Sequence, residues 1–311
     1  MAVNIWRYLL VDRIGITGVI PSAALYKHVY GQFFTMNEEQ KLLLPGGKIK
    51  IRKNKYSMRL DYYTEYTHKT AGRRKIADIT LGSYKISGKK SVDRYLTLTL
   101  YPSQFQAGEF EHFKSVFDAL FEPITYSLLH HTGRVNYLEL AADSLSHKHH
   151  GFLPYRKYCT KSHIHKEDDG HLGTTYLGSN TSDLRFRLYD KYKQLHDTGK
   201  ATFTKVLPHT RIESVVRRLG VAPADLIEME NPFKKLLIAD LVKAYSASKD
   251  ADWQNFISES LTEEGVPYAL AKRPMNKRKK YMAMLDYRQV SWWSPTGVWK
   301  RLPVALSRIA P

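Results

Sequence analysis

The sequence has a single cysteine, Cys159, among its 311 residues. One thiol cannot form an intramolecular disulfide and cannot supply a cysteine-rich zinc site. So little cysteine is typical of a reducing compartment, and we therefore expect a cytoplasmic protein. The sequence also lacks an apolar run near the ~20 residues that cross a bilayer, and its first residues, MAVNIWRYLLVDR, lack the apolar region and cleavage site of a signal peptide. We therefore expect no membrane partner.

Two nucleotide-binding motifs are absent as well. The sequence contains no Walker A loop and no Rossmann glycine fingerprint. These absences argue against an enzyme driven by a nucleoside triphosphate and against one that uses a dinucleotide cofactor.

Acidic residues are scarce relative to basic ones. The chain has 30 Asp and Glu against 48 Lys and Arg, which gives a formal net charge of +18. Such an excess predicts a polyanionic partner, most simply nucleic acid, although charge alone does not separate DNA from RNA or from an acidic membrane surface.

The order of hydrophobic patterns predicts an α+β fold. A first strand is expected over residues 11–20, followed by a short helix or loop, and residues 48–101 are typical of an antiparallel meander. Apolar residues at helical spacing predict a helix from Glu109 to Phe121 that covers one sheet face, leaving the other face for an active site. Helical patterns fill the C-terminal part, with a break at Pro232 and a stop at Gly265. We expect a domain over 1–224 and a helical accessory region, for DNA binding or structure, over 225–311.

The stretch TTYLGSNTSDLRFRLYDKYKQ places a tyrosine among basic residues at the end of a predicted strand. Alternation puts Arg185, Arg187 and Tyr189 on one face, and the residues after Tyr189 begin a helix that would keep Lys191 near the phenol. A phenol that attacks phosphorus must lose its proton, and nearby cations stabilise the charge that develops. Tyr189 is therefore a candidate nucleophile; the alternative is a tyrosine packed at a strand end beside solvated arginines.

Two further predicted strands also carry an apolar face and, on the other face, an acidic residue. In RVNYLELAAD, alternation places Glu139 on the face opposite the apolar residues. Because burying an unpaired carboxylate costs several kcal/mol, we expect Glu139 to contact a cation, a metal ion or solvent. Asp143 ends this strand and is also interpretable as a turn residue. In PHTRIESVVRRLG, Arg211 and Glu213 share one face. If the three strands are neighbours, two carboxylates and one phenol converge on a basic surface.

Three other features leave alternatives open. His163 and His165 form an H-I-H pair, similar to the metal site of many nicking enzymes, but SHIHKEDDG lacks apolar flanks, and a solvated loop or hairpin is the simpler interpretation. The basic run KRPMNKRKKY, residues 272–281, is either a solvated face or a phosphate-binding element. The tryptophans near the end are core aromatics or base-stacking platforms.

These segments together resemble a known family. TTYLGSNTSDLRFRLYDK is similar to the segment around the active tyrosine of Rep_trans rolling-circle replication initiators, YLELAAD to their acid-bearing strand, and RIES to their later Arg-Ile-Glu strand. The filamentous-phage gene II type of replication endonuclease is similar in order. The likeness spans roughly residues 95–220, and Glu139 stands where Asp is usual.

The resemblance implies a metal-dependent nicking–closing endonuclease. Tyr189 would attack origin DNA and form a 5′-phosphotyrosine link, leaving a 3′-OH for a host polymerase. Lys191 and Arg187 would assist it, and Glu139, Glu213 and Asp143 would hold Mg²⁺ or Mn²⁺. The implied partners are single-stranded and supercoiled origin DNA of a phage or plasmid, a host helicase and DNA polymerase, and a second copy in a homodimer. A non-catalytic, sequence-specific DNA-binding regulator and a histidine-metal nuclease remain as alternatives.

Overall fold

The computed structural model describes residues 6–38, 48–53, 57–65, 73–85, 92–145, 147–168, 170–198 and 209–311. No helix within these ranges is long and apolar enough to cross a membrane.

Most of the strands belong to one large antiparallel sheet. The described ranges contain twelve strands: β1 (Trp6–Val19), β2 (Lys48–Lys53), β3 (Ser57–Glu65), β4 (Arg73–Lys85), β5 (Val92–Leu100), β6 (Arg134–Ser144), β7 (Phe152–Tyr155), β8 (Ser162–Lys166), β9 (Leu172–Leu177), β10 (Leu184–Asp190), β11 (Thr210–Arg217) and β12 (Leu237–Asp240). Ten of them share the sheet in the order β2-β3-β4-β5-β1-β6-β11-β10-β9-β8, and β7 pairs with β12 in a second, two-stranded sheet.

The helices complete an α+β fold, and most of them follow the last strand of the large sheet. Those in the described parts of the chain are α1 (Ala23–Glu38), α2 (Glu109–Phe121), α3 (Tyr126–Thr132), α4 (Lys191–Asp197), α5 (Leu241–Tyr245), α6 (Ala251–Ser260), α7 (Gly265–Ala271), α8 (Met275–Asp286), α9 (Pro295–Trp299) and α10 (Leu302–Ser307). Short 3-10 turns connect several elements. The predicted fold class, an antiparallel sheet with a mostly helical C-terminal region, is confirmed.

The chain packs as two compact units. The tyrosine unit comprises Met1–Leu9, Leu140–Val216 and Glu230–Leu302, and the amino-terminal unit comprises Leu10–Glu139, Arg217–Met229 and Pro303–Pro311. The domain boundary expected near residue 225 stays a prediction.

In the amino-terminal unit, β2 to β5 form the predicted antiparallel meander in chain order. The parts of the predicted meander at 54–56, 66–72 and 86–91 lie outside the described residues. Helix α2 has the predicted bounds, and it begins after Gly108, whose φ of 80° is one that glycine adopts without strain. Its phenylalanines are buried, and the Phe113 ring meets Tyr62 of β3 edge-on at 5.4 Å. Helix α2 therefore covers the sheet with aromatic side chains.

In the tyrosine unit, β8, β9, β10 and β11 pair successively and antiparallel. The helices that follow enclose a separate core in which the rings of Trp253, Phe256 and Tyr281 lie 5.0–5.4 Å apart. The sheet strands carry the candidate site residues, and the helical core builds the C-terminal part of the unit.

Several sequence expectations differ from the observed elements. Strand β1 begins at Trp6, five residues before the predicted start, and the short helix or loop after it is helix α1. The histidine segment, for which a solvated loop or a hairpin was expected, contains β7 and β8, and β8 forms a hairpin with β9. Residues 224–248, predicted to be helical, instead form 3-10 turns, β12 and α5. Gly265 begins α7 rather than ending a helix. Local periodicity missed these short elements because pairing and packing, rather than pattern, define them.

Substitution of Phe117 tests the packing of α2. Phe117→Ala should lower the free energy of unfolding by about 3–5 kcal/mol, because the ring is fully buried and its removal leaves a cavity. His112→Ala, on the exposed side of the same helix, should change it little. Chemical denaturation measures both variants, and equal effects would contradict the assigned faces.

Candidate active site

Strand β10 places Tyr189 and Arg187 against β11. In the antiparallel register Arg187 lies opposite Glu213, and Tyr189 lies opposite Arg211. Phe186 and Leu188 are buried on the other face of β10, so the predicted alternation is confirmed. Asp190 then caps α4 by accepting a hydrogen bond from the Lys193 backbone N–H, which confirms the predicted change from strand to helix just after the tyrosine.

The carboxylate of Glu213 joins the phenol and the guanidinium. The Tyr189 hydroxyl donates a hydrogen bond to Glu213 Oε1 at 2.6 Å, and Arg187 Nε donates to Glu213 Oε2 at 2.5 Å. Glu213 is fully buried, at 0% exposure, and Tyr189 is 5% exposed. Each oxygen of Glu213 therefore has a hydrogen-bond donor, and the guanidinium offsets the cost of burying the carboxylate.

Two cations flank the Tyr189 ring. The Arg187 guanidinium carbon lies 4.9 Å from the ring centroid, and Lys191 Nζ lies 5.7 Å from it. Lys191 Nζ also donates to Gln194 Oε1 at 2.8 Å. Lys191 is therefore near the phenol, as the sequence predicted, but it contacts the ring face.

The pKa of Tyr189 is raised above its ordinary value. Burial is the largest cause, followed by the negative charge of Glu213 and the hydrogen bond to it; Arg211 and Arg187 act in the opposite direction but do not cancel it. The phenol is accordingly neutral in this structure. Sequence reasoning placed cations near the phenol but did not foresee a carboxylate as its hydrogen-bond partner.

Tyr189 opens on a small pocket. A cavity of about 250 Å³ is lined by Arg187, Tyr189 and residues of β9 and α4. A neighbouring open groove of about 570 Å³ shares Arg187 and Tyr176 with it and continues to His163 and His165. Tyr189 thus borders a space that is lined largely by polar side chains.

His163 and His165 lie exposed on β8, as a hairpin with β9 rather than a loop. Their rings share one strand face with centroids 4.3 Å apart, and the His165 ring meets Tyr176 at 5.6 Å. The predicted common face is confirmed, and no carboxylate joins the pair in a possible metal-binding group of the described residues.

Asp143 is held by Arg211. Arg211 Nε and Nη2 donate to the two carboxylate oxygens at 2.7 Å each, and His209 Nε2 lies 3.3 Å from Oδ1. Burial would raise the pKa of Asp143, but the hydrogen bonds from His209 and Arg211 outweigh it and lower the pKa to about 2. Both oxygens are therefore engaged in an ion pair, an arrangement that the sequence did not distinguish from a metal ligand or a turn residue.

Glu139 lies half-buried on β6 in the amino-terminal unit. It accepts a hydrogen bond from the Tyr137 hydroxyl at 2.8 Å, and Arg13 and Arg217 lie over the Tyr137 ring at 4.7 and 5.4 Å. Burial, then the nearby Glu139, raises the pKa of Tyr137 to about 12. Glu139 thus lies beside a neutral phenol and two guanidinium groups.

Carboxylates on β1 and β6 of the amino-terminal unit could contribute to a metal site. They are Asp12 and Glu139, and a carboxylate oxygen of one lies within 4.8 Å of a carboxylate oxygen of the other. Carboxylate oxygens are the donors that suit a hard divalent cation such as Mg²⁺ or Mn²⁺. Sequence reasoning missed Asp12 because it began the strand at residue 11, whereas β1 begins at Trp6 and makes Asp12 a mid-strand acid like Glu139.

The Asp143–Arg211 pair predicts a pH-dependent stability. A folded-state pKa of about 2, below the ordinary 3.8, means that the pair stabilises the fold fully above pH 3.8 and that this contribution is lost as the pH falls through about 2. The contribution is on the order of 2 kcal/mol. Asp143→Asn should remove it and destabilise the protein at neutral pH, because Arg211 is left buried without its partner.

Urea denaturation between pH 2 and 7 measures this effect. The matched control is Asp197→Asn, which removes an exposed carboxylate paired with Lys193 and should have little effect. An Asp143→Asn variant as stable as the wild type at neutral pH would contradict the structural role of the pair.

No protein-family model matches the chain, and no curated protein matches it. One similar solved structure is that of a rolling circle replication initiator protein from Geobacillus stearothermophilus. The two chains are 13% identical, the match covers 83% of this chain and 97% of that chain, and the TM-score is 0.34.

Proposed function

We propose that the chain is a metal-dependent DNA nicking–closing endonuclease that initiates rolling-circle replication of a phage or plasmid, with Tyr189 as nucleophile. The observation that carries the proposal is that Tyr189, whose hydroxyl donates to the buried carboxylate of Glu213 at 2.6 Å, lines a pocket beside Arg187. A structural tyrosine needs a hydrogen-bond partner, but it does not need a cavity beside two cations.

The proton of the phenol has an acceptor. As the Tyr189 oxygen bonds to phosphorus, its proton passes to Glu213, and the bond from phosphorus to the 3′ oxygen breaks. The leaving oxygen takes a proton from water. A raised phenol pKa makes this acceptor necessary, because the phenolate is not populated beforehand at neutral pH.

The negative charge of the transition state also has partners. Arg187 borders both the pocket and the phenol, and its planar fork suits phosphate oxygens. Lys191, on the first turn of α4, lies on the same ring and supplies a second cation. We assign Arg187 to the scissile phosphate and Lys191 to the charge on the phenol oxygen.

Glu139 and Glu213 are the proposed metal ligands, joined by Asp12. A bound Mg²⁺ or Mn²⁺ would polarise the phosphate and offset charge on the leaving oxygen. Asp143, the third ligand expected from the sequence, has both oxygens paired with the cation Arg211, whereas one oxygen of Glu213 accepts only from the neutral Tyr189 hydroxyl. We therefore propose Asp12 in place of Asp143.

The phosphotyrosine link conserves the energy of the broken ester, so rejoining needs no nucleoside triphosphate. The free 3′-OH would prime a host polymerase while a host helicase separates the strands. The DNA partners are origin DNA in single-stranded and supercoiled form, and a homodimer would supply a second tyrosine.

Replacement of the phenol tests the nucleophile. Tyr189→Phe should abolish both nicking and covalent adduct formation while DNA affinity is retained, because only the attacking oxygen is lost. The assay incubates the protein and Mn²⁺ with labelled single-stranded DNA that covers the chain's own gene and its flanks. A protease-sensitive band on a denaturing gel reports the adduct.

The matched control is Tyr192→Phe, a buried tyrosine on α4 three residues away, which should keep the adduct. An adduct that persists in Tyr189→Phe and disappears in Tyr192→Phe would move the nucleophile. Nicking without any adduct would favour a histidine-metal nuclease at His163 and His165, and binding without nicking by the wild type would favour a regulator.

Replacement of Glu139 tests the metal. Glu139→Gln keeps the shape but removes a charge, so cleavage should fall by several orders of magnitude and recover in part at raised Mn²⁺. The control is Glu167→Gln, which removes a pocket carboxylate that lies 3.5 Å from Lys193 and is outside the metal-binding group. A Glu139→Gln variant with normal metal dependence and a lower melting temperature would contradict the ligand assignment.

A further inference from the structure

A basic helix lies in the tyrosine unit outside the candidate active site. Helix α7 ends at Ala271, three residues follow, and helix α8 begins at Met275. The basic run noted in the sequence covers the connection and the first half of α8. A helix–turn–helix motif likewise consists of two helices joined by a turn of about this length.

One set of basic residues in this run is used inside the protein. Lys277 pairs with Asp252 of α6, and Arg273 pairs with Glu259 at 2.9 Å. Arg278 donates to the carbonyl oxygens of Arg273 and Ala271 at 2.6 and 2.9 Å. These side chains fix the turn and join α8 to α6, so they do not require an external partner.

A second set projects away from the protein. Lys279 and Lys280 are exposed, and no ion pair involves them in the parts of the chain that the structure describes. The exposed positions of the helix and its C-cap also include Met275, Asn276, Ala283 and Tyr287. At 100° per residue, all six fall within an arc of about 140°, and none is acidic.

The opposite side of α8 is anchored. Tyr281 and Leu285 are buried, and the Tyr281 ring meets Trp253 at 5.2 Å and Phe256 at 5.0 Å. The exposed face with Lys279 and Lys280 therefore belongs to a helix whose other side packs in the core.

We propose that α8 is a recognition helix that enters the major groove of duplex DNA. Its 12 residues span about 18 Å, and the major groove, about 12 Å wide, admits an α-helix. Lys279 and Lys280 contact phosphates on the groove walls, and Asn276, near the start of the helix, pairs with a base edge. The deep, narrow major groove of double-stranded RNA does not admit a helix, so the proposed partner is DNA.

This site differs from the nicking site in its ligand. Tyr189 is proposed to act on a single strand, whereas α8 binds an intact duplex and would select where the protein docks. The two sites can be tested separately, because a Tyr189→Phe variant should keep all the binding described here.

The first test removes the two exposed charges. Binding of the full chain to a 30-base-pair duplex of random sequence is measured by fluorescence anisotropy between 50 and 300 mM salt. Lys279→Gln combined with Lys280→Gln should flatten the log–log salt slope by about 1.8, because each lost phosphate contact removes about 0.9. Affinity at 100 mM salt should fall on the order of tenfold or more. The melting temperature should not change, since both side chains are exposed.

The matched control removes two charges elsewhere in the same unit. Lys234 and Lys235 are exposed on the 3-10 turn Pro232–Lys235, and the double change to Gln gives the same net charge. Its salt slope should stay near that of the wild type. Equal losses in the two double variants would overturn the proposal, because they would show a general effect of net charge.

The second test concerns base reading. Selection from a random duplex library should give the wild type a preferred sequence, and Asn276→Ala should lose preference at about one position with little change in affinity for random duplex. Unchanged preference at every position would overturn the base contact. Double-stranded RNA that competes as well as duplex DNA would overturn the groove assignment. So would a double lysine variant that loses as much affinity for anionic phosphatidylserine vesicles as for duplex DNA.

Discussion

The buried carboxylate of Glu213 is the constraint on which the site depends. A charge at 0% exposure costs several kcal/mol unless it is paired, and Glu213 is paired on one oxygen by Arg187 and on the other by the Tyr189 hydroxyl. The pairing also fixes the register of β10 against β11. A slip of one residue would turn Arg187 and Tyr189 to the opposite face and remove both of these partners from Glu213.

Residues of strand β11 take part in two buried ion pairs that differ in the partners of the carboxylate oxygens. Arg211 donates to both oxygens of Asp143 in a bidentate contact, and His209 Nε2 lies 3.3 Å from one of them. Glu213 instead divides its oxygens between a cation and a neutral phenol, so one of its partners can give up a proton without breaking the ion pair. We therefore propose a structural role for Asp143 and a chemical role for Glu213.

Local periodicity in the sequence correctly predicted strand faces and one helix. The contacts that depend on pairing between distant residues were not predicted. Alternation correctly placed Arg187 with Tyr189 and Arg211 with Glu213, and helical spacing gave α2 its bounds. The ion-pair partner of Asp143 and the hydrogen-bond partner of Tyr189 could not be predicted, because each lies more than 20 positions away in the chain. Asp12 was missed for a simpler reason: the start of β1 contains no turn residue that marks a boundary.

A tyrosine with a raised pKa is at first sight a poor nucleophile, yet it suits an enzyme that must both break and rejoin a strand. The balance between a sugar ester and a tyrosine ester depends on how the basicity of the phenol compares with that of the 3′ hydroxyl. An ordinary phenol is much the weaker base and therefore leaves phosphorus readily, which favours rejoining. If Tyr189 is the nucleophile, Glu213 supplies the proton acceptor that the raised pKa of the phenol makes necessary during cleavage. The same carboxylate that accepts the proton during cleavage can return it when the strand is rejoined, as microscopic reversibility requires.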